Sequence, residues 1–169
     1  MRPMVLLIVS TIFVLPSRGA AQSHEAHRHS DAREDSAFRA LQSRGQEVMG
    51  VDQYTSIHQF VALPDGGRIE LQRDRDDSAG TAAIRTHLRT IAKAFAGGDF
   101  GAPFAVHRDS VPGVPAMRAR RSAIVYAVTD LPRGAALRIR TADPTALDAV
   151  HRFLAYQRRE HRTEQAPHT

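Results

Sequence analysis

The chain repeats one order of elements, a β-hairpin followed by an amphipathic helix, and this repetition most limits the folds it can adopt. In the first unit (54–98), strand-forming segments at 54–63 and 68–73 flank Asp65-Gly66, a strong hairpin signal, and a helix then begins at Thr81 and is stopped by Gly97 and Gly98. In the second unit (122–162), strands at 123–129 and 136–141 flank Pro132-Arg133-Gly134, and a helix again follows. An apolar sheet face needs a covering layer. We therefore expect an α+β fold, a two-layer sandwich of one four-stranded antiparallel sheet with both helices on one face.

Both predicted helices carry an apolar stripe at helical spacing. Gly97 is a typical stop signal for the first helix, while Asp143 is the expected N-cap and Pro144 the expected first residue of the second. The stripes consist of Ile84, Leu88, Ile91 and Phe95 in the first helix and of Leu147, Val150 and Leu154 in the second.

The register of the first hairpin decides where one histidine lies. If Asp65 and Gly66 are the two loop residues, Phe60 pairs with Leu71, and His58 lies on the same apolar face as Phe60. Elsewhere, residues 31–49 predict an N-terminal helix that begins at Asp31. The proline-containing segment 100–123 predicts irregular structure with a short edge strand at 104–107.

The two termini are predicted to lie outside the domain. Residues 1–21 have a positive start, a short apolar run and small residues near position 21, as in a cleaved secretory signal. A retained N-terminal anchor is the alternative. After cleavage we expect no stable membrane span, and a periplasmic or extracellular location in a Gram-negative-type bacterium. We further expect a disordered, histidine-containing tether at 22–30, one domain at 31–163 and a disordered tail at 164–169.

Composition excludes some classes of function. The formal charge of +5 falls to +3 if Arg2 and Arg18 leave with the signal, which is too small to indicate nucleic acid. The chain has no Trp and few aromatic residues beside its arginines, so a base-stacking surface is not expected. With no Cys, disulfides, thiolate metal sites and cysteine nucleophiles are excluded. The oligomeric state stays open.

Several short motifs together resemble a family of small, often exported bacterial proteins for which no activity is known. The motifs are M-G-V-D-Q from Met49, I-H-Q-F from Ile57, Gly66-Gly67, I-R-T-H-L from Ile84, G-G-D-F from Gly97, P-G-V-P-A-M from Pro112 and A-V-H-R-F-L-A-Y-Q-R-R-E-H-R-T from Ala149. The resemblance covers residues 48–163. It implies the limits of the domain but no activity, ligand or site residues. In that family the first strand often carries two adjacent histidines, whereas the second position here is Gln59.

Histidines are the main candidates for chemistry, since neutral imidazole suits borderline metals such as copper and zinc. His58 on the first strand, with His87 and His151 beside the two helix stripes, would meet at one interface between sheet and helices. His107 on the following irregular segment would close over them. Such a cluster could hold a metal ion or act as acid and base. The alternative is that each histidine is a boundary residue bonded to a backbone carbonyl or a carboxylate.

A second candidate metal site lies in the tether. Cleavage after Ala21 would leave an amine two residues before His24. Together with two amide nitrogens, these groups can form the square-planar nitrogen set that Cu(II) or Ni(II) favours. The alternative is a polar linker.

Two charged segments have simpler interpretations. Glu160 and His161 are adjacent on a helix and so do not face each other, and we expect a solvated helix end there. The arginines Arg118, Arg120 and Arg121 could contact an anion or a lipid headgroup, but a charged entry to the next strand is sufficient.

These patterns support three hypotheses. The first is an exported binding protein, more plausibly not an enzyme, with His58, His87 and His151 as metal ligands, His107 as an auxiliary ligand and copper preferred over zinc or nickel. The second is a small periplasmic enzyme that uses the same histidines as acid and base. The third is an envelope interaction module that uses the exposed sheet face or the first helix.

Overall fold

Both hairpin-helix units are present in the computed structural model, which describes residues 35–48, 50 and 53–163. The predicted signal, the predicted tether with His24, the predicted helix start at Asp31 and the predicted tail at 164–169 lie outside the described residues. The elements are α1 (35–48), β1 (Ser56–Leu63), β2 (Gly66–Arg73), α2 (Ser78–Ala96), α3 (Gly101–His107), α4 (Val114–Ala119), β3 (Ile124–Leu131), β4 (Gly134–Thr141) and α5 (Pro144–Glu160). Short 3-10 turns at Gln53–Thr55 and Arg121–Ala123 precede β1 and β3.

The four strands form one antiparallel sheet in the order β1-β2-β4-β3. The second strand of each hairpin is therefore central, and Ile69 of β2 pairs with Leu137 of β4. Helix α2 lies mainly over β3 and β4, whereas α5 lies mainly over β1 and β2. Each helix thus covers the hairpin of the other unit, and the predicted α+β fold with its N-terminal helix is confirmed.

The predicted register of the first hairpin was wrong by two residues. The loop residues are Pro64 and Asp65, so Phe60 pairs with Ile69 and His58 pairs with Leu71. Because side chains alternate with a period of two, a shift of two keeps every residue on its predicted face. His58 therefore still points to the buried side, where it is 5% exposed.

Side-chain caps fix where the two long helices begin. Asp77 accepts a hydrogen bond from the Gly80 amide at 3.0 Å, so α2 starts at Ser78, three residues before the predicted position. Asp143 accepts hydrogen bonds from the amides of Thr145 at 2.8 Å and Ala146 at 2.9 Å. The predicted N-cap of α5 is confirmed.

Arg85 and His151 occupy equivalent positions in the two units. Each is the eighth residue of its helix, counting from Ser78 in α2 and from Pro144 in α5. The third, seventh and eleventh residues are buried in both helices, which supports this alignment. Arg85 donates to the carbonyls of Leu131 at 2.6 Å and Gly134 at 3.0 Å, and His151 Nε2 lies 2.9 Å from the Leu63 carbonyl. Each helix is thus fixed to the turn of the hairpin that it covers.

Residues 104–107 belong to α3, so the predicted edge strand was wrong. Pro103 is the third residue of this helix. Proline fits there because amides of the first turn have no partner within a helix. None of the helices built from described residues is long and apolar enough to cross a membrane. Apart from Asp35, the described residues belong to one compact unit, Ser36–Thr169.

Candidate functional site

A cavity of about 80 Å³ lies between the sheet and the helices, and four histidines line it. His58 comes from β1, His87 from α2, His107 from the last turn of α3, and His161 from the residue that follows α5. Gln157 is the remaining polar side chain among the residues that line it. The other lining residues are Gly45, Val48, Phe60, Ile69, Leu71, Leu88, Ile91, Phe95, Ala102, Pro103, Val106 and Phe153.

The four histidines form a continuous series, here called the imidazole row: His87, His58, His161, His107. The ring centres of His58 and His161 are 5.9 Å apart, and those of His161 and His107 are 5.3 Å apart. The His161 ring also stacks on Phe60 at 5.4 Å. His87 is close enough to His58 that a charge on one would disfavour a charge on the other.

Burial keeps the imidazole row uncharged at neutral pH. It lowers the pKa of His58 to about 4, with a smaller contribution from nearby His87. It lowers the pKa of His161 to about 3, assisted by repulsion from His58 and His107. Burial also lowers the pKa of His87, and it outweighs the Gln157 hydrogen bond and the Glu160 charge that act to raise the pKa of His107. A neutral imidazole has one bare nitrogen, which can accept a hydrogen bond or bind a metal.

His107 has a defined hydrogen-bond partner on one side of its ring. Its Nε2 lies 3.0 Å from Oε1 of Gln157, and in this orientation of the amide, whose oxygen can only accept, Nε2 is the donor. The bare nitrogen is then Nδ1, which is buried and has no hydrogen-bond partner among the described residues. Nε2 of Gln157 is likewise buried and without a partner in the described part of the chain. A buried polar group without a partner costs about 1–3 kcal/mol, so packing alone does not explain this pair.

The structure does not bring His151 to the other histidines. His151 does not line the cavity, and its ring is bonded to the Leu63 carbonyl at 2.9 Å. His87 is the tenth residue of α2 and His151 the eighth of α5, which places them about 200° apart around equivalent helix axes. His151 fits the alternative interpretation, that of a boundary residue bonded to a backbone carbonyl.

His161 was missed because the sequence predicted a solvated helix end, and that prediction was wrong. His161 is 6% exposed and lies between His58, Phe60 and His107. It lies seven residues after Leu154 and four after Gln157, both buried, so it continues the buried face of α5. That spacing is the signal that could have identified it.

The arginines at the end of α4 and just after it make structural contacts. Arg118 Nε donates to the Gly98 carbonyl at 3.0 Å, Arg121 donates to the Arg118 carbonyl at 3.4 Å, and Arg120 lies 3.6 Å from the N-cap carboxylate of Asp143. These contacts support the simpler interpretation of a charged strand entry.

The side chains as they stand do not form a closed coordination sphere. Within residues 35–48, 50 and 53–163, no group of three or more His, Cys, Asp or Glu is arranged to hold a metal ion. The imidazole row is therefore a set of neutral donors around one cavity, and its rings would have to rotate to share an ion.

Comparisons with known proteins add no further constraint. No protein-family model matches the chain, and no curated protein or solved structure is significantly similar to it. The resemblance based on short motifs stays a prediction.

Proposed function

We propose that this protein is a small binding protein that takes up a divalent transition metal ion through the imidazole row. His58, His107 and His161 are the proposed ligands, and His87 is an outer member that can replace one of them. The observation that carries the proposal is that three neutral imidazoles, two buried (His58 and His161) and one half-buried (His107), line one cavity, with ring centres 5.9 Å apart for His58 and His161 and 5.3 Å apart for His161 and His107.

This spacing is close to what a shared ion needs. A metal–nitrogen bond of about 2.0–2.1 Å puts each ring centre about 3.2 Å from the ion, so two rings at a tetrahedral angle have centres about 5.2 Å apart. The His58–His161 and His161–His107 separations each exceed that value by less than 1 Å. Rotation of the side chains within the cavity is a small change, of the kind that commonly accompanies binding.

The donor set favours copper, followed by zinc or nickel. Imidazole nitrogen suits all three ions, and copper stands highest in the general affinity order for nitrogen sites. Carboxylates, which hard cations such as Ca²⁺ require, are absent from the residues that line the cavity. The lowered pKa values leave the imidazoles unprotonated, as metal binding requires.

Binding is favoured over acid-base catalysis at this cavity. A general base works best when its pKa lies near the operating pH, whereas the pKa values of His58 and His161 are lowered to about 4 and about 3. The cavity of about 80 Å³ is also smaller than the 300–1,000 Å³ typical of pockets for organic ligands. A metal ion with one or two small co-ligands fits that volume better than an organic substrate does.

We also propose that the protein is exported and that the tether is a second copper site. Both rest on the N-terminal sequence: the signal-like residues 1–21 and the position of His24 after the expected cleavage point. The two metal sites are independent and can be separated by truncation.

Metal titration of the mature protein tests the proposal. Isothermal calorimetry with Cu(II), Zn(II) and Ni(II) is expected to give one site in a variant that lacks residues 22–30. A His107→Ala, His161→Ala double variant is expected to bind the same ion at least 100-fold more weakly, since even outer-shell partners contribute about 10–100-fold.

His151→Gln is the matched control. It removes an imidazole outside the cavity and keeps a side-chain group that can bond the Leu63 carbonyl. It is expected to bind metal like the wild type. Equal losses in His151→Gln and in the double variant would contradict the proposal, as would complete loss of binding on removal of residues 22–30.

A further inference from the structure

Gln157 is a polar residue on the buried, mainly apolar face of α5. It is the fourteenth residue of α5, and the fourteenth residue of α2 is Ile91. Both line the cavity, and both are buried, Gln157 at 5% exposure and Ile91 at 8%. The equivalent position of α2 is therefore apolar, and the buried amide at position 157 calls for an explanation.

The contacts of this amide indicate its role. Oε1 lies 3.0 Å from His107 Nε2, while Nε2 of the amide has no partner among the described residues. The amide oxygen thus accepts from His107, while the amide nitrogen donates to no described residue. On the other side of the ring, His107 Nδ1 is buried, bare and unpartnered in the described structure.

We propose that Gln157 is a positioning residue that holds neutral His107 as the Nε2–H tautomer and so presents Nδ1 as the metal-binding nitrogen. This inference rests on the proposed metal-binding function. Metal-bound histidines commonly donate their second ring hydrogen to an acceptor, which fixes the tautomer and the ring orientation. The Tyr156 ring packs edge-on against His107 at 5.0 Å and restricts the same ring further.

The tautomer can be observed directly in the metal-free wild type. Long-range ¹H–¹⁵N correlation of histidine-labelled mature protein at pH 7.5 distinguishes a protonated from a bare ring nitrogen. A His107→Asn variant assigns the signals. The expected result is a bare Nδ1 and a protonated Nε2; a protonated Nδ1 would mean that the amide is reversed and would overturn the inference.

The metal-binding consequence is tested with Gln157→Met, which keeps the length of the side chain and removes the acceptor. It is expected to weaken binding of Cu(II) or Zn(II) by about 10–100-fold and to give a mixture of His107 tautomers. Gln157→Glu restores an acceptor and is expected to recover the tautomer and most of the affinity. Leu154→Met, at a buried residue of the same helix that does not line the cavity, is the matched control, expected to leave both unchanged.

The possible outcomes separate the two claims. A bare Nδ1 with unchanged affinity in Gln157→Met overturns the positioning role while the metal site stands. If the protein that lacks residues 22–30 and carries no substitution binds no metal at all, the proposed function fails, and the ligand role of His107 fails with it. That failure is recognised in the unsubstituted protein, before any change at position 157.

Discussion

Arg85 and His151 stand at the same position in the two helices, and each binds the turn of the hairpin beneath its helix. Arg85 contacts the carbonyls of Leu131 and Gly134, and His151 contacts that of Leu63. In both hairpins a Leu ends the first strand and a Pro begins the turn, at Leu63-Pro64 and Leu131-Pro132. The equivalence assigns His151 a structural role and separates it from the imidazole row.

Arg85→Met is expected to destabilise the fold by about 1–2 kcal/mol, because two carbonyl groups lose a charged donor. Arg89→Met is the control, since its side chain is 56% exposed and its recorded partner is the exposed Asp130 carboxylate. An exposed ion pair contributes about 0–1 kcal/mol, so the control should stay near the wild type. Urea denaturation measures the free energy of unfolding of both variants. Equal effects of the two substitutions would contradict the structural role of Arg85.

Stability is expected to fall as the pH is lowered from about 6.5 toward 4. His58 and His161 stay neutral in the folded protein because their pKa values are lowered to about 4 and about 3. In the unfolded chain they take up protons near pH 6.5, so acid favours unfolding. The expected loss between pH 7.5 and 5.5 is about 1.4 kcal/mol for each histidine, or about 3 kcal/mol together.

His161→Phe provides the comparison for this pH dependence. It keeps an aromatic ring to stack on Phe60 and removes one titrating group. Urea unfolding at pH 7.5 and 5.5 should show a loss smaller than that of the wild type by about 1.4 kcal/mol, the contribution of one histidine. If the variant and the wild type lose the same stability, burial of His161 is not the cause.

Gln42→Leu is expected to stabilise the protein. Gln42 of α1 is 4% exposed, and neither of its amide atoms has a hydrogen-bond partner in the described residues. Replacing a buried amide without partners by an apolar side chain of similar size should gain about 1–2 kcal/mol. Gln46→Leu, on the exposed side of the same helix, should change stability by less than about 0.5 kcal/mol. A loss of stability in Gln42→Leu would indicate that the amide has a binding partner.

The fold was largely predictable because its signals are local. The stripe from Ile84 to Phe95 and the cap Asp143 depend on residues within one or two helical turns. The first hairpin was harder, since Pro64-Asp65 and Asp65-Gly66 are both good turn pairs and put the same side chains on the buried face. The strand predicted at 104–107 failed because Pro103 is tolerated in the first turn of a helix.

The site was less predictable because it depends on which side of each helix meets the sheet. His87 and His151 both flank an apolar stripe, yet only His87 lines the cavity. His161 follows the last helical residue, where solvent exposure is usual, but His58 and His107 enclose it. His161 is 54 positions from His107 and 103 positions from His58 in the chain. Sequence periodicity cannot predict contacts between residues so far apart.

Anomalous X-ray scattering is the most direct test of the shared metal site. Crystals of the protein lacking residues 22–30 would be grown with copper or zinc, and data collected at the absorption edge of that metal. The account predicts one peak in the cavity, about 2.0–2.1 Å from a ring nitrogen of His107 and of at least one of His58 and His161. A cavity without a peak in crystals that contain the metal elsewhere would contradict it.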